Sequence, residues 1–347
     1  MNALLRGVAA RATVRTVASL VVASLVACGT PADTAPDSAI PFDGPSSSDS
    51  AAPRDAAEAS DSAPASDAGA ATDLGLDADA ASPDSGSLLT DGHEVLFVGN
   101  SYTFANDLPA LHRLFAEAMP LTPVRVESVT AGGYTLSQHA RDAATDGTAL
   151  AGHLRTGPPE ATSWDVVVLQ EQSQTPGFPA GSPARLASEE GASALARLAA
   201  AKGAAVLLYA TWGRARGDAM NPTLYPDFLT MEARLEEGYR ALADVAIAAG
   251  ARVRIAPVGA AFARVHAAVV ASGLDPLAPG SDFLALYVDD GSHPSARGTY
   301  LAASVIQGAV TGTDPRSLPD APGLDPAVCA ALREVAAETL ADPVWAR

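Results

Sequence analysis

The strongest constraint on the fold is an alternation of two kinds of segment after residue 92. Residues 94–99, 124–129, 165–169, 204–210 and 252–257 are short Val- and Leu-rich runs bounded by turn-forming residues. Runs of that length, apolar at successive positions, read as strands buried on both faces. Between them lie longer Ala- and Leu-rich stretches with helical spacing, notably 108–119, 184–201 and 228–249. Strand and helix in alternation imply a parallel sheet, because each return to the same end of the sheet must carry a helix across one face. The expected class is therefore α/β, a three-layer α/β/α sandwich around a five-stranded parallel sheet. In such open sheets the reactive residues belong on loops at the carboxyl ends of the strands, near the point where strand order reverses.

The first ninety residues follow a different logic. Arg6, Arg11 and Arg15 precede an apolar run over 17–27, too short to span a membrane comfortably, and this reads as an export signal. The run ends Leu25-Val26-Ala27-Cys28-Gly29, which resembles the bacterial lipobox. That resemblance implies a signal peptide over 1–28, lipidation of Cys28, and an exported, membrane-anchored lipoprotein of the cell envelope. Gly29, in place of the aspartate associated with inner-membrane retention, favours the outer membrane. From 29 to 91 the chain is mostly Ala, Asp, Ser and Pro, with thirteen acids against the single base Arg54. Such a stretch has too little apolar surface to bury and reads as a disordered, self-repelling tether. It supplies twelve of the eighteen net negative charges, so the acidity describes the tether and not the domain over 92–347.

Cys329 is the other of two cysteines, so lipidation of Cys28 leaves no intramolecular disulfide. It lies in an apolar helical pattern over 325–332 and reads as a small buried hydrophobe. Basic stripes with interleaved aromatics are absent from the sequence, which argues against a nucleic-acid partner.

Chemistry concentrates in four places. Val98-Gly99-Asn100-Ser101 ends the first strand and opens a helical pattern. A hydroxyl there can face the crevice while backbone N–H groups favour developing negative charge, although a serine at a helix start also reads as an N-cap. Serine needs a base oriented by a third group. Asp290-Gly291-Ser292-His293 offers one, since on a tight loop the acid three residues before the histidine can hold the imidazole. Gly132-Gly133-Tyr134-Thr135 follows the second strand, and Gln170-Glu171-Gln172-Ser173 follows the third.

In this order the four blocks resemble those of the SGNH (GDSL-like) serine hydrolases, over about 94–315. The resemblance implies a flavodoxin-like strand order and a Ser101, His293, Asp290 triad. It also implies an oxyanion hole formed by the N–H groups of Ser101 and Gly133 and the side-chain amide of Gln172. Two blocks depart from the usual pattern: Asn100 stands where Asp is usual, and a Gln-Glu-Gln run replaces Gly-x-Asn-Asp, so that Gln172 or Gln170 could complete the hole. The chain looks like a less studied branch of the superfamily.

Tyr102 and Trp212 read equally as cleft walls or as core. His139 could line the pocket, while His93, His112, His153 and His266 lack pairing and read as surface or helix residues. Glu171 reads as a tie between loops, and Asp289 lacks the three-residue spacing to His293. The sequence has no ligand spacing for a metal and no phosphate-binding glycine loop, so neither metal nor cofactor is expected. The expected activity is ester hydrolysis on a small-molecule or carbohydrate ester. An acyltransferase on the same fold and a noncatalytic surface glycan-binding module are the alternatives.

Overall fold

The computed structural model describes residues 86–89, 92–155 and 164–345. The signal sequence over 1–28 with Cys28, and nearly all of the tether, lie outside the described residues. Leu88, inside the stretch read as tether, is buried and donates its N–H to Val310 O at 2.8 Å. The folded part therefore begins before residue 92.

Four successive residues of β1 (His93–Gly99), Val95 to Val98, are buried. Val95 and Phe97 join one apolar cluster, Leu96 and Val98 another. The two-residue period of the strand thus feeds two separate cores. After β1 come a single helical turn, α1 (Ser101–Phe104), then α2 (Leu108–Glu117) and β2 (Val124–Thr130). Next are α3 (Leu136–Ala144), α4 (Ala149–Leu154) and β3 (Val166–Leu169). The remainder runs α5 (Pro183–Ala201), β4 (Ala205–Ala210), α6 (Phe228–Ala248), β5 (Val253–Pro257), α7 (Val258–Ala271), α8 (Ala296–Thr311) and α9 (Pro326–Leu340). Residues of α2, α7, α8 and α9 fill the first cluster, with Cys329 of α9 fully buried there. Residues of α3, α4, α5 and α6 fill the second. Three layers result.

The strands pair in the order β2-β1-β3-β4-β5, all parallel. The expected five strands and their order are thus present. The chain steps outward from β1 to β2 and returns past β1 to β3, so strand order reverses between β1 and β3. The register sets Gly99 beside Thr130 and Val98 beside Leu169, which brings the loops after β1, β2 and β3 to one end of the sheet.

Two expectations need correction. The sequence predicts a strand buried on both faces at β2, yet Glu127 and Ser128 are exposed, because β2 is an edge that the covering helices only partly reach. His93 and His112 are expected to lack pairing, and the expected helix holds for His112 alone. They are fully buried, on β1 and on the inner side of α2, and face each other Nε2 to Nε2 at 2.9 Å. Burial lowers His93 to about 4 and His112 well below the usual imidazole range, so both rings are neutral and one Nε2–H donates to the other.

Candidate active site

Asn100, not Ser101, caps α1: its Oδ1 accepts the N–H of Tyr102 at 3.2 Å. The N-cap reading of Ser101 is thereby removed, and its hydroxyl is committed elsewhere. His293 Nε2 lies 2.9 Å from Ser101 Oγ, and His293 Nδ1 lies 2.6 Å from Asp290 Oδ2. The carboxylate holds the proton on Nδ1, which leaves the Nε2 lone pair directed at the serine hydroxyl.

The loop that carries the acid and the base is folded on itself. Asp290 Oδ1 accepts the N–H groups of Ser292 and His293 at 2.8 and 2.9 Å, and Gly291, between Asp290 and Ser292, adopts the left-handed conformation at φ 67°. Burial opposes ionisation of Asp290, but the His293 side chain and these two N–H groups hold its carboxyl below the usual carboxylate range. Asp289 is exposed and makes no such turn.

Four contacts hold this loop from outside. The Trp212 indole N–H donates to Ser292 O at 3.0 Å, Tyr102 Oη meets Ser292 Oγ at 2.6 Å, Ala215 N–H donates to Gly291 O at 2.8 Å, and Asn106 Nδ2 donates to Pro294 O at 2.9 Å. Tyr102 and Trp212 are fully buried and stacked with ring centroids 4.7 Å apart, and Trp212 stacks again on Phe262 at 4.3 Å. The reading of these two rings as cleft walls is corrected: each is a pillar beneath the His293 loop, because its polar edge finds a buried partner there.

On the other side of Ser101, Ala131 N–H donates to Gly99 O at 3.3 Å and brings the loop after β2 against the end of β1. Gly133 has φ 67°, a backbone that side chains rarely adopt. Among the described residues, neither its N–H nor that of Ser101 has an acceptor. His139 is buried instead of lining a pocket, its Nε2 2.9 Å from Gly99 O.

The run after β3 divides its labour. Gln170 Oε1 accepts from Asn100 N–H and the Thr103 hydroxyl, both at 2.8 Å, while its Nε2 donates to Asn100 Oδ1 and to Glu171 O. Both of its amide protons are spent. Gln172 Oε1 accepts from Gln174 N–H and the Thr175 hydroxyl, but among the described residues Nε2 gives only one proton, to Ser173 Oγ at 3.3 Å. Of the two glutamines, Gln172 keeps a donor in reserve. Glu171 accepts from Leu136 N–H, Gln172 N–H and the Ser188 hydroxyl; burial pushes its carboxyl up to about 7. It ties the start of α3 to α5.

Sequence reasoning missed Glu232, Tyr287 and Asn106. Glu232 Oε2 accepts Gly213 N–H at 2.9 Å and Tyr287 Oη donates to Gly213 O at 2.7 Å, which fixes the loop on which Ala215 meets Gly291. A signal existed for Glu232. It shares the buried register of α6 with Phe228, Met231, Leu235 and Tyr239, where a carboxyl is out of place.

Neither a family model nor a curated protein matches the chain. Solved structures do. A DUF4886 family protein from Bacteroides uniformis aligns at 17% identity and a TM-score of 0.53, covering 72% of this chain and 95% of that one. A protein from Slackia heliotrinireducens assigned as an SGNH hydrolase aligns at 28% identity and a TM-score of 0.46, covering 63% and 98%. One from Bacteroides fragilis assigned as an acylhydrolase aligns at 19% identity and a TM-score of 0.37, covering 62% and 85%. The chain shares the fold of the DUF4886 family protein. Within that fold Ser101 opens α1 directly after β1, Gly133 and the Gln170–Gln172 run stand on the loops after β2 and β3, and His293 reaches Ser101 from the loop before α8.

Proposed function

We propose that the chain is a serine ester hydrolase. The observation that carries this reading is the continuous hydrogen-bonded line Asp290 Oδ2, His293 Nδ1, His293 Nε2, Ser101 Oγ, at 2.6 and 2.9 Å. His293 Nε2 takes the hydroxyl proton as Ser101 Oγ attacks the ester carbonyl, and Asp290 stabilises the imidazolium. The tetrahedral oxyanion sits among the N–H groups of Ser101 and Gly133 and the remaining amide proton of Gln172. Collapse expels the alcohol, protonated by His293, and leaves an acyl-Ser101. Water, deprotonated by the same imidazole, then releases the acid.

The substrate class proposed is an acyl or acetyl ester on a carbohydrate, met at the cell envelope by a lipoprotein anchored through Cys28. Hydrolysis of p-nitrophenyl esters of increasing acyl length, beside Ser101→Ala and His293→Ala, tests the reading. Loss of turnover in both variants supports it. Wild-type protein that neither hydrolyses these esters nor labels with a fluorophosphonate at Ser101 overturns it.

A further inference from the structure

Asn100 is buried, and every hydrogen-bonding atom of its amide is used. Nδ2 donates to Tyr134 O at 2.9 Å; Oδ1 accepts from Tyr102 N–H at 3.2 Å and from Gln170 Nε2 at 2.9 Å. Its main-chain N–H returns the contact, donating to Gln170 Oε1 at 2.8 Å. The two residues therefore grip each other reciprocally across the ends of β1 and β3. Gly99 leaves room for this: a Cβ there would lie 2.4 Å from Thr103 Oγ1 and 2.6 Å from Gln170 Oε1. Glycine is needed at 99 for clearance and not for its torsion angles.

The third partner of Asn100 gives the grip its purpose. Tyr134 directly follows Gly133, whose N–H has no acceptor among the described residues. The short loop is fastened at one end by Ala131 N–H to Gly99 O and closed internally by Tyr134 N–H to Ala131 O. The Asn100 amide fastens the other end. We infer that Asn100 and Gln170 form a positioning clasp that fixes the Gly133 N–H relative to Ser101, and that the clasp requires a neutral amide at position 100.

The requirement follows from donor and acceptor counting. An ionised aspartate could accept from both Tyr102 N–H and Gln170 Nε2, but it would turn a bare oxygen onto the Tyr134 carbonyl across the 2.9 Å that an N–H now bridges. Two buried acceptors facing each other repel, and the loop is released. A protonated aspartic acid could donate to Tyr134 O and restore the contact. The Asn-for-Asp difference from the usual block and the presence of Gln170 thus form one device: the glutamine supplies the donor for Oδ1, and the asparagine keeps its own donor for the loop.

The kinetic consequence rests on the proposed hydrolase activity; the structural one does not. The experiment compares the full chain with Asn100→Asp and Gln170→Glu by kcat and KM for p-nitrophenyl acetate across pH. Amide hydrogen exchange of the 131–135 loop is followed on the same samples. Asn100→Asp should keep KM, hold kcat on the acid side, and lose tenfold or more as the new carboxyl ionises, with loop exchange rising in step. Gln170→Glu, in its ionised form, should lower kcat and speed the same loop. Wild-type exchange in the loop, or faster exchange spread evenly through the protein, overturns the clasp. A wild-type chain with no esterase activity overturns the functional reading alone, and the exchange arm still decides the clasp.

Discussion

Tyr102, the residue after the candidate nucleophile, hydrogen-bonds Ser292, the residue before the candidate base, at 2.6 Å. The contact joins segments 190 positions apart in the chain and keeps Ser101 and His293 in register independently of their own hydrogen bond. Trp212 holds the same serine through its carbonyl, so the His293 loop is clamped at side chain and main chain together.

Tyr102→Phe removes the hydroxyl and keeps the ring stacked on Trp212. A buried hydrogen bond is worth about 1 kcal/mol net, which corresponds to about fivefold in rate when the bond serves alignment. The expected result is a kcat reduced severalfold with KM little changed and a small loss of melting temperature. A melting temperature that falls while kcat stays at the wild-type value would mean that the contact supports the core and not the alignment.

Asp290→Asn keeps the shape of the turn and offers His293 Nδ1 an ambiguous partner, an amide that can present N–H in place of an acceptor. The imidazole can then carry its proton on Nε2, facing Ser101 with a donor where a base is required. Loss of the orienting acid in comparable triads costs about 10⁴ in kcat. Asp290 is half exposed, its side chain 46% accessible, so solvent can partly replace it and a loss of about 10²- to 10⁴-fold is expected. Turnover and fluorophosphonate labelling should fall together. Unimpaired labelling would remove Asp290 from the machinery.

Gln172→Ala removes the uncommitted amide proton after β3. Deleting one oxyanion donor costs about 2.7 to 4 kcal/mol, so kcat should fall by about 10²- to 10³-fold while KM moves little. The same change also deprives Gln174 N–H and the Thr175 hydroxyl of their acceptor, so thermal unfolding must be followed beside activity. A destabilised variant with normal kcat would leave Gln172 as a loop-former only.

The fold was legible because its strands need apolar residues on both faces and its helices need them on one, and these periods are visible in a single chain. The ends of β1, β3 and β4 fall within a residue of where hydrophobic runs meet turn residues. The short α3 and α4 escape the sequence pattern, because α3 is held by a capping box at Thr135 and Gln138, α4 by the Thr148 cap, and both by tertiary packing more than by length. At the site, the positions of Ser101, Asp290 and His293 could be proposed from the resemblance of four blocks to the SGNH hydrolases, since local spacing alone fits a helix cap and a surface turn as well. The partners of Tyr102, Trp212, Asn106 and Gln170 could not, because each contact spans dozens of residues and depends on which loops share an end of the sheet. The His93 and His112 pair escaped because it depends on which side of α2 turns toward β1.

Glu232 supplies a pH dependence of stability. Its carboxyl is pushed up to about 8, first by burial and also by Glu236, against the lowering effect of the Gly213 N–H. In the unfolded chain it ionises near the ordinary value of 4.5. Between these limits the folded state holds a proton that the unfolded state has lost, so unfolding releases protons and stability falls as pH rises through that window. Glu171, raised to about 7 by burial, adds a second contribution of the same sign that ends earlier. Glu232→Gln is neutral at every pH and retains an oxygen for Gly213 N–H. Its melting temperature should therefore decline less than that of the wild type from about pH 4.5 to about pH 8, with the residual slope ending near the Glu171 value. Thermal unfolding by circular dichroism across that range measures both curves. Parallel curves would show that Glu232 is already ionised in the folded protein, with its charge balanced by groups around the 211–217 loop.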